Sequence, residues 1–176
     1  MILIIDNRSM FIRSFEKKLI RHRVPYKFNY HQDQLQVPND DVEGIILSGG
    51  AGNPYQPLNL TADFVALMNF NVPMIGFCLG HEVLAVAYGG KIEELTEYQN
   101  KQEIVIIDRK DDPIFRGIET DQIKLKEQHQ YHVSELPPLF DVLAHSPVCP
   151  FEVIKHKNRT LYGFQAHPEI SGKDGN

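Results

Sequence analysis

Two short stretches of the chain carry residue types able to do covalent chemistry. The first is Gly76, Phe77, Cys78, Leu79, Gly80, and the second is His167, Pro168, Glu169. A cysteine between glycines, following an apolar run and preceding a helical pattern, fits a nucleophile on a sharp strand-to-helix turn. Small neighbours permit tight backbone angles and let a substrate carbonyl approach the main chain. Free N–H groups at a helix start favour thiolate over thiol, so the expectation is a depressed Cys78 pKa. A lone cysteine on an apolar run is most often an inert core residue; the paired glycines argue the other way. His167 and Glu169, two apart in extended chain, face the same side, and Pro168 opposes a helix there. A histidine oriented by a carboxylate is the equipment of a general base, so Cys78, His167 and Glu169 together would make an acyl-transfer triad.

Two further segments bear on this chemistry. Ser48 to Pro54, SGGAGNP, follows an apolar run. It lacks the lysine and hydroxyl of a phosphate-binding P-loop and has no GxGxxG pattern. Its better use is a loop of main-chain donors for a developing oxyanion, where side chains would intrude. His129, Tyr131 and His132, within EQHQYHV, are expected on a loop near the site. No HxxxH or CxxC pair occurs, and zinc on Cys78, His129 and His132 would leave His167 and Glu169 idle, so no metal is expected.

These residues need a scaffold. Ile2 to Ile5, Gly44 to Leu47 and Met74 to Phe77 are continuous apolar runs suited to strands buried on both faces of a parallel sheet. Tyr26 to Tyr30 alternates as a more exposed strand, followed by a polar loop through Asp41. Helical spacing runs from a Ser9 cap to His22, from a Thr61 cap to Phe70, and from His81 to Tyr88. Beyond Gly90 the pattern turns to alternating segments: Lys91 to Leu95, Gln102 to Ile107, Ile123 to Lys126, Phe140 to His145, Phe151 to Ile154 and Thr160 to Ala166. A short helical turn is expected at Asp111 to Gly117. The fold class is α/β: a doubly wound, mostly parallel, flavodoxin-like sheet flanked by helices, with a smaller antiparallel addition.

The length of 176 residues suits a single domain over residues 1–176. A net charge of −5 offers no electrostatic footprint for nucleic acid or an anionic membrane. Two cysteines suggest a reducing, cytoplasmic setting with no bridge between Cys78 and Cys149. The opening MILIID reads as a first strand rather than a leader, and no apolar run approaches the roughly 20 residues of a membrane helix.

The GxCxG turn, the SGG loop and the later HPE, in this order and spacing, resemble the class I glutamine amidotransferases over nearly the whole chain. Within that family LSGG, AYGGKI, LAHS and YGFQAHPE are most similar to the stand-alone amidotransferase subunit of archaeal-type, two-subunit GMP synthases. The resemblance implies that Cys78 attacks the side-chain amide of L-glutamine, that His167 moves the protons and that Glu169 orients it. It also implies oxyanion donors at the N–H groups of Gly50 and Leu79, and substrate contacts from Gly52, Glu82, Gln130 and Tyr131. No cofactor is implied in this chain; ATP and magnesium would serve a separate ATP-pyrophosphatase synthetase that aminates XMP to GMP, the two forming a heterodimer. The alternatives are a subunit of an anthranilate or aminodeoxychorismate synthase, and a non-catalytic, glutamine-binding regulatory subunit. Glu82 stands where the family usually has glutamine, Gln128 and Tyr131 replace a usual serine and aspartate, and Ala166 replaces a frequent phenylalanine. Asn176 falls short of the family's usual closing helix.

Overall fold

The computed structural model describes residues 1–35, 39–56 and 59–175. Among them, nine strands form one sheet in the order β2-β1-β3-β4-β9-β8-β7-β5-β6. The strands are β1 (Ile2–Asp6), β2 (Tyr26–Tyr30), β3 (Gly44–Leu47), β4 (Met74–Phe77), β5 (Lys91–Ile107), β6 (Gln122–Glu135), β7 (Phe140–His145), β8 (Val153–His156) and β9 (Leu161–Phe164). The first five strands in that order run parallel, and β9 to β6 are joined by antiparallel pairing. The carboxyl ends of β1, β3, β4 and β9 therefore lie side by side, the edge at which open α/β sheets bind ligands.

The apolar strands pack on both faces, as their lack of alternation predicts. Leu3, Ile5, Ile45 and Leu47 pack with α2 (Thr61–Asn69) and α3 (Leu79–Ala87) through Ala62, Ala66, Leu67, Val83 and Leu84. Ile4, Phe77 and Phe164 face the other way and pack with Phe15 of α1 (Ile12–Arg21). Fully burying one such side chain stabilises by about 1.5–3 kcal/mol, which ties both helical layers to the sheet that carries the site.

Several local expectations are corrected. Ser9 does not cap α1: the flanking residue is Phe11, whose N–H donates to Ser9 Oγ at 3.2 Å, so Ser9 braces the preceding turn. Thr61 is the first residue of α2 rather than its cap and donates to Asn59 Oδ1. The segments around 91–95 and 102–107 belong to one 17-residue strand, with register shifts between Lys91 and Ile92 and between Glu94 and Gln99. Its polar middle reads as loop because the ribbon is exposed there. EQHQYHV is not a loop; it lies inside β6, and the Glu94–Tyr131 and Gln99–His129 pairings fix it. Pro168 begins a short 3-10 turn over Pro168–Ile170 instead of preventing one, since proline's missing N–H costs nothing at a helix start. Residues 36–38 of the expected polar loop, and Asn176, lie outside the described residues.

Candidate active site

Cys78 sits between β4 and α3 with φ 48° and ψ −108°, a left-handed conformation that is strained by about 1–3 kcal/mol in a residue other than glycine. Its N–H donates to the Phe164 carbonyl at 2.7 Å, and its carbonyl accepts from the Glu82 N–H at 3.0 Å. The turn is thereby pinned between β9 and the first turn of α3. A side chain on Gly80 would run into the Leu47 carbonyl, and one on Gly76 into the Gly80 main chain. This close packing is what the two glycines make possible.

His167 leaves the neighbouring strand β9, with its N–H on the Lys126 carbonyl at 2.8 Å. Its Nδ1 lies 2.7 Å from Glu169 Oε1. A carboxylate accepts, so Nδ1 carries the proton and Nε2 is left for chemistry. Both side chains are buried, and the Phe11 ring stands edge-on to the imidazole at 4.8 Å between centroids. The point where a Cβ on Gly49 would sit is 3.0 Å from His167 Cε1 and 3.4 Å from Cys78 Cβ. Ring and nucleophile carbon thus lie no farther apart than those two distances combined. The structure brings Cys78, His167 and Glu169 together.

Cys78 and His167 face a cavity of about 290 Å³ that Gly50, Gly52, Glu82, Gln130 and Tyr131 also line, with Glu169 behind the imidazole. That volume sits at the small end of ligand pockets, the scale of a single amino acid. Leu79 is not part of the cavity wall, but its N–H faces the Cys78 sulfur and favours the thiolate. Gly50 admits no side chain, because a Cβ would collide with the Asn7 carbonyl and approach Leu79 Cδ2 to 2.8 Å. Gln130 Nε2 donates to the Leu95 carbonyl at 2.6 Å, where β5 leaves its register.

The expected depression of the Cys78 pKa is corrected. Burial pushes the thiol well up, the nearby Glu82 carboxylate adds to this, and the Leu79 N–H only partly opposes it. Desolvation of a cysteine that is only 5 % exposed outweighs the helix start. At rest the thiol is protonated and donates to the Gln128 carbonyl at 3.8 Å.

Glu82 is buried too. Gln165 Nε2 donates to its Oε1 at 3.3 Å, while Glu82 Oε2 and Gln165 Oε1 have no partner among the described residues. Burial pushes the Glu82 carboxyl up to about 8, opposed by the Gln165 N–H, so it is a neutral acid below that pH. A neutral carboxyl has the shape and one-donor, one-acceptor capacity that an amide offers on that face.

The sequence singles out His129, which lines the cavity, but not its buried partner Glu127. His129 Nδ1 donates to the Tyr131 carbonyl at 2.8 Å, so its Nε2, 2.9 Å from Glu127 Oε2, accepts from a protonated Glu127. Burial pushes Glu127 up to about 7 and His129 down, which suits a neutral pair. Arg8, Met10, Phe11 and Tyr98 also line the cavity, from positions that carry no local signal of a site.

A doubly wound sheet with a strained cysteine and a carboxylate-held histidine on adjacent strand ends defines a thiol-dependent acyl-transfer architecture. The family model for glutamine amidotransferase class-I matches residues 3–176, and the chain belongs to that family. It is 36% identical over 178 residues to a glutamine-hydrolysing GMP synthase subunit from Thermococcus kodakarensis, covering 97% of this chain and 90% of that one. To the corresponding GMP synthase subunit from Methanococcus vannielii it is 33% identical, covering 97% and 88%. Among solved structures, a Thermotoga maritima glutamine amidotransferase superposes with a TM-score of 0.83 at 18% identity, covering 96% and 76%, a likeness of fold. No helix among the described residues is long and apolar enough to cross a membrane.

Proposed function

We propose that this chain is the glutaminase subunit of a two-subunit GMP synthase, hydrolysing L-glutamine and delivering ammonia to a separate synthetase. Cys78 Sγ attacks the side-chain amide carbon as its proton passes to His167 Nε2, so nucleophile formation and attack coincide in a site where the resting thiol is protonated. The amide oxygen takes up the negative charge, and the main-chain N–H groups of Gly50 and Leu79 stabilise it; such a donor contributes about 3–4 kcal/mol to the transition state. His167 returns the proton to the leaving nitrogen, the C–N bond breaks, and ammonia departs from a thioester. Water, deprotonated by His167, then attacks the thioester, releasing glutamate and restoring the thiol. Glu169 holds Nδ1–H throughout and offsets the charge of the imidazolium.

Gly52, Glu82, Gln130 and Tyr131 form the wall against which glutamine is held, with Glu82 taking part as a neutral acid. The chain itself uses no cofactor in this scheme. ATP and magnesium belong to the partner, an ATP-pyrophosphatase synthetase that aminates XMP to GMP. The observation that carries the reading is the shared cavity wall of Cys78 and His167, with Glu169 on the far ring nitrogen. The names of the 31–36% identical relatives support the choice of synthase. Ammonia release from glutamine, measured with the candidate synthetase, ATP and XMP, should be abolished by Cys78→Ala. Equal release by the variant would refute the scheme, and coupling to chorismate amination instead of XMP would refute the assignment of synthase.

A further inference from the structure

Outside the reacting groups, the most tightly specified polar cluster joins α2 to the SGG loop. Asn7, 4 % exposed, follows β1 and uses every donor it has on this cluster. Its main-chain N–H donates to Ser48 Oγ at 2.9 Å, and its Nδ2 donates both to the Ser48 carbonyl and to Asp63 Oδ1, each at 2.9 Å. Ser48 Oγ in turn donates to the Gly49 carbonyl at 3.0 Å. The Asn7 carbonyl lies against Gly50, on the side where any Cβ would sit. Asn7 thus braces Ser48 directly, Gly49 through the Ser48 hydroxyl and Gly50 by close approach, and Asp63 is its anchor.

The two bonds from Nδ2 fix which end of the Asn7 amide is nitrogen, so its Oδ1 is committed as an acceptor. That oxygen and Asp63 Oδ2 are both buried without a partner among the described residues. Two buried acceptors on side chains already joined by one hydrogen bond, each with no donor, would each carry a desolvation penalty. A single proton removes both penalties at once, closing a ring in which acid and amide each donate once and accept once.

We propose that Asp63 is held as a carboxylic acid paired with Asn7, and that this pair positions the Ser48–Gly50 loop so that the Gly50 N–H meets the developing oxyanion. Asp63 is a positioning residue that acts through Asn7. The inference rests on the reading of Gly50 as an oxyanion donor. It accords with the ionisation of Asp63, which burial pushes up to about 7 against the pull of Asn7 and of its own N–H, with no charged side chain contributing. His31, whose carbonyl meets the same end of α2 at the Ala62 N–H, turns its ring to the Asn59 carbonyl at 3.2 Å.

The test is alkylation of Cys78 by a diazoketone analogue of glutamine, followed by mass spectrometry of the chain across pH. Asp63→Asn places an amide where the acid stood and preserves the two-bond ring without a titrating proton. Its labelling rate should match wild type near about pH 6 and exceed it by roughly tenfold near about pH 8, where wild-type Asp63 ionises and one bond of the ring is lost. Taking the ratio of the two rates cancels the titration of Cys78 and Glu82, which both proteins share. Asp63→Ala should slow the limiting rate by about 10-fold to 100-fold at either pH while the concentration for half-saturation stays within about twofold. A rate ratio that is flat across pH overturns the proposal even if Asp63→Ala fails to fold. Infrared difference spectra, wild type minus Asp63→Asn, should contain the C=O stretch of a protonated acid, and its absence below about pH 6 overturns the proposal independently of labelling. A wild-type chain unlabelled at Cys78 refutes the glutaminase reading, and the positioning role falls with it. A labelled wild type with a flat ratio refutes the pairing alone.

Discussion

Glu82→Gln should make the protein more stable at neutral and alkaline pH, contrary to the usual outcome of removing a native ionisable group. The Glu82 carboxyl is 1 % exposed, and its folded-state pKa is pushed by burial from 4.5 to about 8. A group with a raised folded value binds its proton more tightly in the native state. Its contribution is complete below about pH 4.5 and is lost as pH climbs towards about 8. The slope is about 1.4 kcal/mol per pH unit, so about 4–5 kcal/mol disappears across the whole window. The amide introduced by Glu82→Gln keeps the Gln165 N–H bonded, gains a donor for the unpartnered Gln165 oxygen and has nothing to titrate. Urea unfolding of wild type and variant from about pH 5 to about pH 8 should give two curves that diverge by about 1 kcal/mol per unit, with the variant ahead at the alkaline end. Parallel curves would show that Glu82 is ionised in the folded protein, and the neutral-acid account of the cavity wall would be wrong.

Three other outcomes follow from the same geometry. Glu169→Gln removes the carboxylate from the 2.7 Å bond to His167 Nδ1, and glutaminase kcat should fall by about 100-fold or more with little change in KM, measured by coupled glutamate release. Gly50→Ala drives a methyl group into the Asn7 carbonyl, so kcat should drop by at least about tenfold and stability by about 1–3 kcal/mol in thermal unfolding. Because Asp63, Glu127 and Glu152 are also pushed up by burial, to about 7, about 7 and about 8, folding should take up protons near neutral pH. Wild-type thermal stability should therefore decline from about pH 5 to about pH 8 rather than rise.

What the sequence discloses is whatever local pattern encodes. Uninterrupted apolar runs at Ile2 to Ile5 and Met74 to Phe77 mark strands covered on both faces, and the glycines around Cys78 mark the turn that holds it. The HPE unit places a carboxylate beside a histidine because the two are neighbours in the chain. What stays hidden is set by contacts between distant segments. Asp63 looks like an ordinary acidic residue in the first turn of a helix, and only folding against Asn7, 56 positions away, turns it into a buried acid. The elevated thiol pKa is hidden for the same reason: the helix start is local and readable, whereas desolvation comes only with burial in the folded chain. The polar run EQHQYHV reads as a loop because it has no apolar alternation, yet pairing with β5 makes it strand and turns the His129 ring inward onto Glu127.

The claim on which the mechanism stands is that one sulfur, under the hand of one imidazole, forms a bond to the substrate. Rapid quenching of the chain during glutamine turnover with its synthetase partner, followed by peptide mass spectrometry, tests it directly. The account predicts a glutamyl thioester on the peptide bearing Cys78, with Cys149 unmodified, and its disappearance in Cys78→Ala. Turnover that proceeds with Cys78 replaced, or an acyl group found on Cys149 instead, would contradict it.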